Sequence, residues 1–270
     1  MAGSFRDAEL SGWTARAESY DKLFTPISNQ AIPPILAKLG DVHGKRVLDV
    51  CCGSGHLTAA LARSGAEAEG LDFAPTMVAR ASANYPAIRF RQGDAASLPY
   101  ESNSFDHVVC CYGVMHFERP DLAIAEAHRV LRHGGKYVFT QWAKDDDLLR
   151  IVASAIADHG DRSLDLPAAP PPMRFSEPDE CQRVLLSSGF EKVAVDRLDI
   201  EWTSDRAEAL LELIYGSAVR AAMLIEAQDP TRRAKIHDAI VLASRAKSRG
   251  GAIVIRRPTV MASGEKALPG

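Results

Sequence analysis

The chain has no block of charge of one sign, no long apolar run and no cluster of metal-ligating residues. Its formal charge is −3, so a nucleic-acid phosphate backbone is not an expected partner. No apolar run reaches the length of a membrane span. Residues Met1 to Leu10 carry three charges and no apolar core, so a secretory signal is not expected. The five cysteines include two adjacent pairs, Cys51-Cys52 and Cys110-Cys111, and none has zinc-like spacing to the eight histidines. Neighbours in a strand point to opposite faces, so neither pair forms a simple internal disulfide. The plain reading makes them small apolar residues in a reducing cytosol, with a metal or redox role as the alternative. These exclusions leave a cytoplasmic chain of enzyme size. Its 270 residues, 46% hydrophobic and 25% charged, suit one large α/β domain with insertions, or a core plus a cap.

What is present centres on residues 46–63. Arg46-Val47-Leu48-Asp49-Val50 is a short apolar run that predicts a buried strand. Cys51-Cys52-Gly53-Ser54-Gly55 follows, and then His56 to Arg63 has helical spacing and good helix formers. Strand, glycine turn and helix make a ligand crevice at the carboxyl end of a first strand in an α/β sheet. The glycines matter because a missing Cβ lets backbone N–H groups come close to a ligand.

A glycine turn alone is shared by many unrelated functions. Two acids narrow it. Asp49 lies inside the strand, where an unpaired carboxylate is costly to bury, so a cationic ligand or backbone N–H groups are expected beside it. Asp72 follows 23 residues later, at the end of the probable second strand, in the place of a ribose-binding acid. With these residues the chain resembles the class I S-adenosylmethionine-dependent methyltransferases. Within them it is similar to the small-molecule group, type 11, that includes the quinone-ring methyltransferases.

Along the chain, Trp13, Ala17, Tyr20, Leu23 and Phe24 give residues 1–40 an aromatic helical face that breaks at Pro26. Further strands are expected at Glu67–Phe73, Ile88–Asp94, Phe105–Tyr112 and Lys136–Thr140. Helices between them, including Leu122–Leu131 capped by Gly134-Gly135, imply a mostly parallel, doubly wound sheet covered on both faces. A proline-rich excursion, Pro167 to Pro172, precedes a helix ending at Gly189, and Phe190–Trp202 predicts another strand. Ser204 to Gly250 is a helical pair with Leu210, Leu211, Ile214, Val219 and Met223 on one face. Ala252–Arg256 is the expected last strand, with Val260–Ala262 a continuation. The resemblance implies a Rossmann-like sheet of seven strands whose last strand is antiparallel. The expected division is a helical lid at 1–40, a core at 41–203 and 251–263, and a cap at 204–250 inserted between the last two strands.

The resemblance also implies a site for S-adenosylmethionine and its product S-adenosylhomocysteine. Gly53 and Gly55, with Cys51 where the family usually has glycine, would admit the methionine end. Cys51 suits that place if its φ is negative. Asp49 would face the amino group, and Asp72 both ribose hydroxyls. Phe73 and Met77 would pack on adenine, with Asp94 and the Ala95 N–H at its polar edge. Cys111 and Tyr112 would line the sulfonium region, and Tyr20 would reach the methionine part as a lid residue. In the family's sheet the two cysteine pairs lie on neighbouring strands, which would bring one cysteine of each together. His116 is the candidate base, with Tyr20 and Tyr112 as alternatives.

Each residue also has a structural explanation: Asp94 as a turn cap, Asp72 as a helix cap, His116 as a satisfied loop histidine. The acceptor is expected to be a small molecule, with Trp13, Trp142, Phe175 and Trp202 hinting at an apolar or aromatic one. Oligomeric state, monomer or homodimer, is open. A nicotinamide dehydrogenase is disfavoured because Thr58 stands where a third glycine should follow Gly53 and Gly55. A catalytically silent binding protein is the third reading.

Overall fold

A computed structural model describes residues 4–164 and 167–269, so the reading of residues 1–3 lies outside the described residues. Ten strands are described: β1 (Arg46–Val50), β2 (Glu67–Asp72), β3 (Arg89–Gln92), β4 (Phe105–Cys110), β5 (Leu131–Trp142), β6 (Phe190–Leu198), β7 (Glu201–Ser204), β8 (Ser248–Arg249), β9 (Ala252–Arg256) and β10 (Thr259–Lys266). The described residues fall into two compact units. One is built from Met1–Ile27, Asp145–Ala168 and Asp199–Pro258, the other from Ser28–Lys144, Ala169–Leu198 and Thr259–Gly270.

The second unit holds a seven-stranded sheet in the order β3-β2-β1-β4-β5-β10-β6. β1 pairs in parallel with β2 and β4, β2 with β3, and β4 with β5, while β10 is antiparallel to both β5 and β6. This is the expected Rossmann-like sheet. Helices of this unit open on proline at Pro75, Pro120 and Pro178, the first-turn position where the missing N–H costs nothing. The core runs along one face of the sheet, through Leu48, Val108, Leu131, Tyr137, Phe139 and Phe190. Burial of such apolar area contributes roughly 25 cal/mol per Å². The chain moves outward from β1 to β3, then returns past β1 to β4. The switch in direction opens a crevice at the carboxyl ends of β1 and β4.

The end of the chain departs from expectation. Ala252–Arg256 is not the last strand of this sheet. It forms β9, in a three-stranded sheet of the other unit ordered β7-β9-β8. The strand expected at Phe190–Trp202 likewise splits into β6 and β7, one for each sheet. The antiparallel strand of the seven is β10, buried over Thr259–Gly264 although Thr259, Ser263 and Gly264 make it look weak in sequence. Gly264 is needed there: a Cβ would stand 2.8 Å from Phe190 Cβ. β9 is more apolar, yet only Ile253 and Ile255 are buried, the alternation of a strand with one covered face.

Gly134-Gly135 do not cap a helix either. The helix Pro120–Val130 ends four residues earlier, and both glycines lie in β5, with Gly134 at φ 76°. A Cβ on Gly135 would meet the Asp106 carbonyl at 2.6 Å, and the β4–β5 register shifts between Phe105 and His107. The glycines serve close strand approach at an irregularity.

In the first unit the helix Phe5–Leu23 starts at a capping box between Ser4 and Asp7. The expected helical pair is three helices, Ala209–Ser217, Val219–Glu226 and Pro230–Arg245, the first two parted at Ala218. Asp146 and Arg257 form a fully buried ion pair at 2.7 Å, and the adjacent Asp147 takes Lys247 at 2.8 Å.

Candidate active site

The crevice at the switch point is lined by groups from the exits of β1, β2 and β4. Asp49, fourth residue of β1, is 1% exposed and accepts the Thr58 hydroxyl at 2.7 Å. Burial raises its pKa to about 7, against the Thr58 hydrogen bond, and the nearby Asp72 charge adds to the rise. Thr58 comes from the first turn of the helix His56–Arg63, so the residue that breaks a dinucleotide fingerprint here serves the acid.

Asp72 ends β2 with its carboxylate 2.9 Å from two backbone amides, Gly53 N–H on Oδ2 and Ala74 N–H on Oδ1. Burial raises its pKa, opposed by those amides and by His116. His116 lies in the short turn Val114–His116 after β4, so the residues after β2 and β4 meet electrostatically across the crevice. Asp72 is not the cap of the helix Pro75–Asn84: that place is Ala74's, which makes no side-chain cap bond. A carboxylate offers about four acceptor sites, and Asp72 spends one on each oxygen toward the amides. The remaining lone pairs suit a vicinal diol.

Cys51 follows β1 with φ 60°, so the expectation of a negative φ fails. A non-glycine residue in the left-handed region stores roughly 1–3 kcal/mol of strain, which persists where surroundings over-determine it. Its surroundings are tight: a Cβ on Gly113 would stand 2.6 Å from Cys51 Cβ and 2.7 Å from Cys110 Sγ. Cys51 and Cys110 do meet, and all five cysteines are free thiols. The hydrogen bond with Cys110 and burial push the Cys51 thiol well above its ordinary pKa, which keeps it protonated and unreactive. Burial pushes Cys52 up as well. No group of three or more metal-ligating side chains occurs among the described residues.

The glycine turn has φ 53° at Gly53 and φ 89° at Gly55, a backbone path that disfavours side chains. A Cβ on Gly55 would also strike the Phe90 ring at 2.8 Å. Two buried hydroxyls here have no hydrogen-bond partner, Ser54 Oγ in the turn and Thr76 Oγ1 just after Asp72. Unsatisfied buried polar atoms are costly and gather where a ligand completes them.

Phe73 is half-buried and Met77 buried, both in the segment that leaves β2. Asp94 Oδ1 accepts the Ala96 N–H at 2.8 Å, the turn-capping use expected as its structural explanation, and Ala95 beside it is buried. Cys111, after β4, accepts the Thr140 hydroxyl at 3.6 Å and senses the Asp49 charge. Tyr112 has φ 55° and is pinned on three sides. Its N–H donates to Thr140 Oγ1, its hydroxyl pairs with Thr259 Oγ1, and its ring stacks on Trp142 at 4.0 Å. Tyr20 lies in the other unit, in an aromatic run with Trp13 and Phe24.

The structure therefore brings Asp49, Cys51, Gly53, Gly55, Asp72, Cys111 and His116 to one crevice. Phe175 packs on Phe139, Trp142 on Tyr112, and Trp13 and Trp202 belong to the other unit. The structure adds Thr58, Ser54 and Thr140 to the residues around the crevice. Thr58 alone had a sequence signal, its one-turn spacing from the glycine turn.

A family described as a methyltransferase domain matches residues 48–139, the stretch that carries β1 to most of β5. The chain is 37% identical over 109 residues to a demethylmenaquinone methyltransferase of Renibacterium salmoninarum, 40% of this chain and 46% of that protein. It is 41% identical over 91 residues to the one of Chlorobaculum tepidum, covering 33% of this chain and 38% of the relative. The chain thus spans less than half the length of these curated relatives. Among solved structures, a phosphoethanolamine N-methyltransferase of Haemonchus contortus, in complex with phosphomonomethylethanolamine and S-adenosylhomocysteine, has a TM-score of 0.61 at 18% identity. The alignment covers 98% of this chain and 61% of that one. The YcgJ protein of Bacillus subtilis has a TM-score of 0.59 at 19% identity, covering 89% of this chain and all of that one. At these identities the two structures speak for the fold.

Proposed function

We propose that the protein transfers a methyl group from S-adenosylmethionine to a small-molecule acceptor. The observation that carries the reading is Asp49: a carboxylate sunk in a strand, its pKa raised to about 7 although the Thr58 hydroxyl and backbone N–H both oppose its burial. An ammonium group on the ligand restores its charge. Asp72 receives the ribose diol, the Gly53–Gly55 turn admits the methionine carboxylate, and Phe73 and Met77 flank adenine, with Asp94 and Ala95 at its edge. Cys111 and Tyr112 stand at the β4 exit beside the sulfur position, and Tyr20 is a lid residue. The methyl donor supplies an electrophile already activated by positive sulfur, so the chain contributes positioning and exclusion of water.

His116 holds the acceptor proton in this proposal, supported by its place opposite Asp72. Residues 1–40 and 204–250 act as lid and cap. The first 27 residues and the 204–250 stretch belong to the same compact unit, which supports a shared role. No described helix is long and apolar enough to cross a membrane. We take the acceptor to be a flat, apolar ring compound, the class suggested by the demethylmenaquinone methyltransferase relatives. The protein works in the cytoplasm, as a monomer or homodimer.

Calorimetry with S-adenosylhomocysteine against NAD tests cofactor choice, and binding of NAD alone would overturn the reading. Transfer of labelled methyl to a panel of quinone precursors, amines and phenols tests the acceptor. Binding without transfer to any acceptor would leave a silent binding protein instead.

A further inference from the structure

The glycine turn is gripped by the stretch of chain from Asp72 to Phe90. The helix Pro75–Asn84 opens just after Asp72, which already holds the Gly53 N–H at 2.9 Å. Its other end returns to the same turn. Asn84 Nδ2 donates to the Ser54 carbonyl at 3.3 Å, and the Tyr85 hydroxyl bonds His56 Nδ1 at 2.7 Å. The His56 and Tyr85 rings meet edge to face at 5.7 Å and 84°. Between them sits Gly55, where a Cβ would stand 3.1 Å from Tyr85 Cδ2 and 2.8 Å from Phe90 Cζ. Residues 53, 54, 55 and 56 are therefore each held, one after another, by the end of β2, the far end of the helix and the ring of Phe90.

Such a brace answers a physical problem. The turn has positive φ at Cys51, Gly53 and Gly55, and glycine backbone loses the most freedom on ordering. A turn left loose would be ordered by the ligand at the expense of affinity. A turn held beforehand presents its N–H groups already in place. We propose that Asn84 and Tyr85 are positioning residues for the methyl donor, holding the turn in its binding shape through Ser54 and His56 without touching the ligand. The inference rests on the methyltransferase reading.

The test uses the full chain with Tyr85→Phe, Asn84→Ala and Asn84→Ser. Tyr85→Phe keeps the ring against Gly55 and removes the hydroxyl alone. Calorimetry gives the Kd for S-adenosylhomocysteine, steady-state rates give KM for the donor and kcat, and melting gives Tm. Each of Tyr85→Phe and Asn84→Ala is expected to raise the donor KM and the product Kd about threefold to tenfold, the loss of one hydrogen bond. The kcat at saturating donor stays within about twofold, because the chemistry is untouched. His56→Gln is expected to weaken binding similarly and to add little to Tyr85→Phe, as coupled partners do. A lower Tm with unchanged Kd in Tyr85→Phe and both Asn84 variants would show a structural role only and overturn the proposal. So would a fall in kcat at constant KM. Wild-type protein that binds neither donor nor product refutes the methyltransferase reading and the brace together. Wild-type binding with unaltered variants refutes the brace alone.

Discussion

The half of the sheet around β1, β2 and β4 and the half around β5, β10 and β6 are assembled on different principles. In the first, single helices join β1 to β2 and β2 to β3, and the acids Asp49 and Asp72 sit within the last residues of their own strands. In the second, β10 lies between β5 and β6 after more than a hundred residues of intervening chain, part of it in another compact unit. The first half holds three buried acids, Asp49, Glu69 and Asp72, and positive φ at Cys51 and Tyr112, while among the described non-glycine residues of the second Lys192 has positive φ. The second buries Tyr137, Phe139, Phe190, Val260 and Ala262 in a core shared with Leu48, Leu71 and Val108 of the first. Strain collects where a ligand is to be held, and packing elsewhere compensates for it.

The comparison can be broken by substitutions that should act on one side only. The largest effect is expected outside the site, at the buried Asp146–Arg257 pair of the other unit. Asp146→Ala removes the carboxylate partner of a buried guanidinium and the cap of the Leu149 N–H, and should destabilise by about 3–5 kcal/mol in urea unfolding. Its folded fraction should still bind S-adenosylhomocysteine as wild type does. Next comes Asp72→Ala, which removes the acceptor of both the Gly53 and Ala74 amides. Binding should weaken by about a hundredfold or more in calorimetry, roughly 3 kcal/mol by analogy with hydrogen bonds to charged groups. Unaltered binding would remove the basis for a ribose-binding acid.

Asp49→Asn sharpens the contrast because affinity and stability should move in opposite directions. The folded pKa of about 7 exceeds the ordinary 3.8, so the folded state binds more protons between those values. Stability of the ligand-free protein therefore falls as pH rises from about 4 to about 7, and the loss is complete above 7. Asp49→Asn should abolish that slope and raise Tm at pH 8. It should also weaken cofactor binding about tenfold or more there, since the neutral amide cannot pair with an ammonium. In wild type, cofactor affinity should rise with pH up to about 7 and then level off, read by calorimetry across pH 5.5 to 8.5. A flat profile would count against Asp49 as the partner of that ammonium.

Gly264→Ala should destabilise by about 1–3 kcal/mol through the clash with Phe190, with no change in cofactor affinity per folded molecule. The smallest change is expected from Thr58→Val, which loses one hydroxyl bond to a buried carboxylate, about 1–2 kcal/mol. It should move the apparent pKa of Asp49 upward, seen as a shift of the affinity profile to higher pH.

The alternation of apolar runs with helical spacing, the acids at strand exits and the glycine turn determined the doubly wound class and the crevice residues by themselves. These are short-range signals: a strand, its exit and the next helix lie within about thirty residues of one another. Which strand closes the sheet was decided by tertiary structure alone. Ala252–Arg256 outscores Thr259–Lys266 in apolar content, but a central strand needs room for its neighbours as much as hydrophobicity, and Gly264 provides that room against Phe190. The sign of φ at Cys51 and the hold of Asn84 and Tyr85 on the turn were equally closed to sequence reading, whereas the meeting of a cysteine from each pair was implied by the family resemblance. Each depends on which side chains arrive from distant segments, and one-dimensional spacing has no record of that.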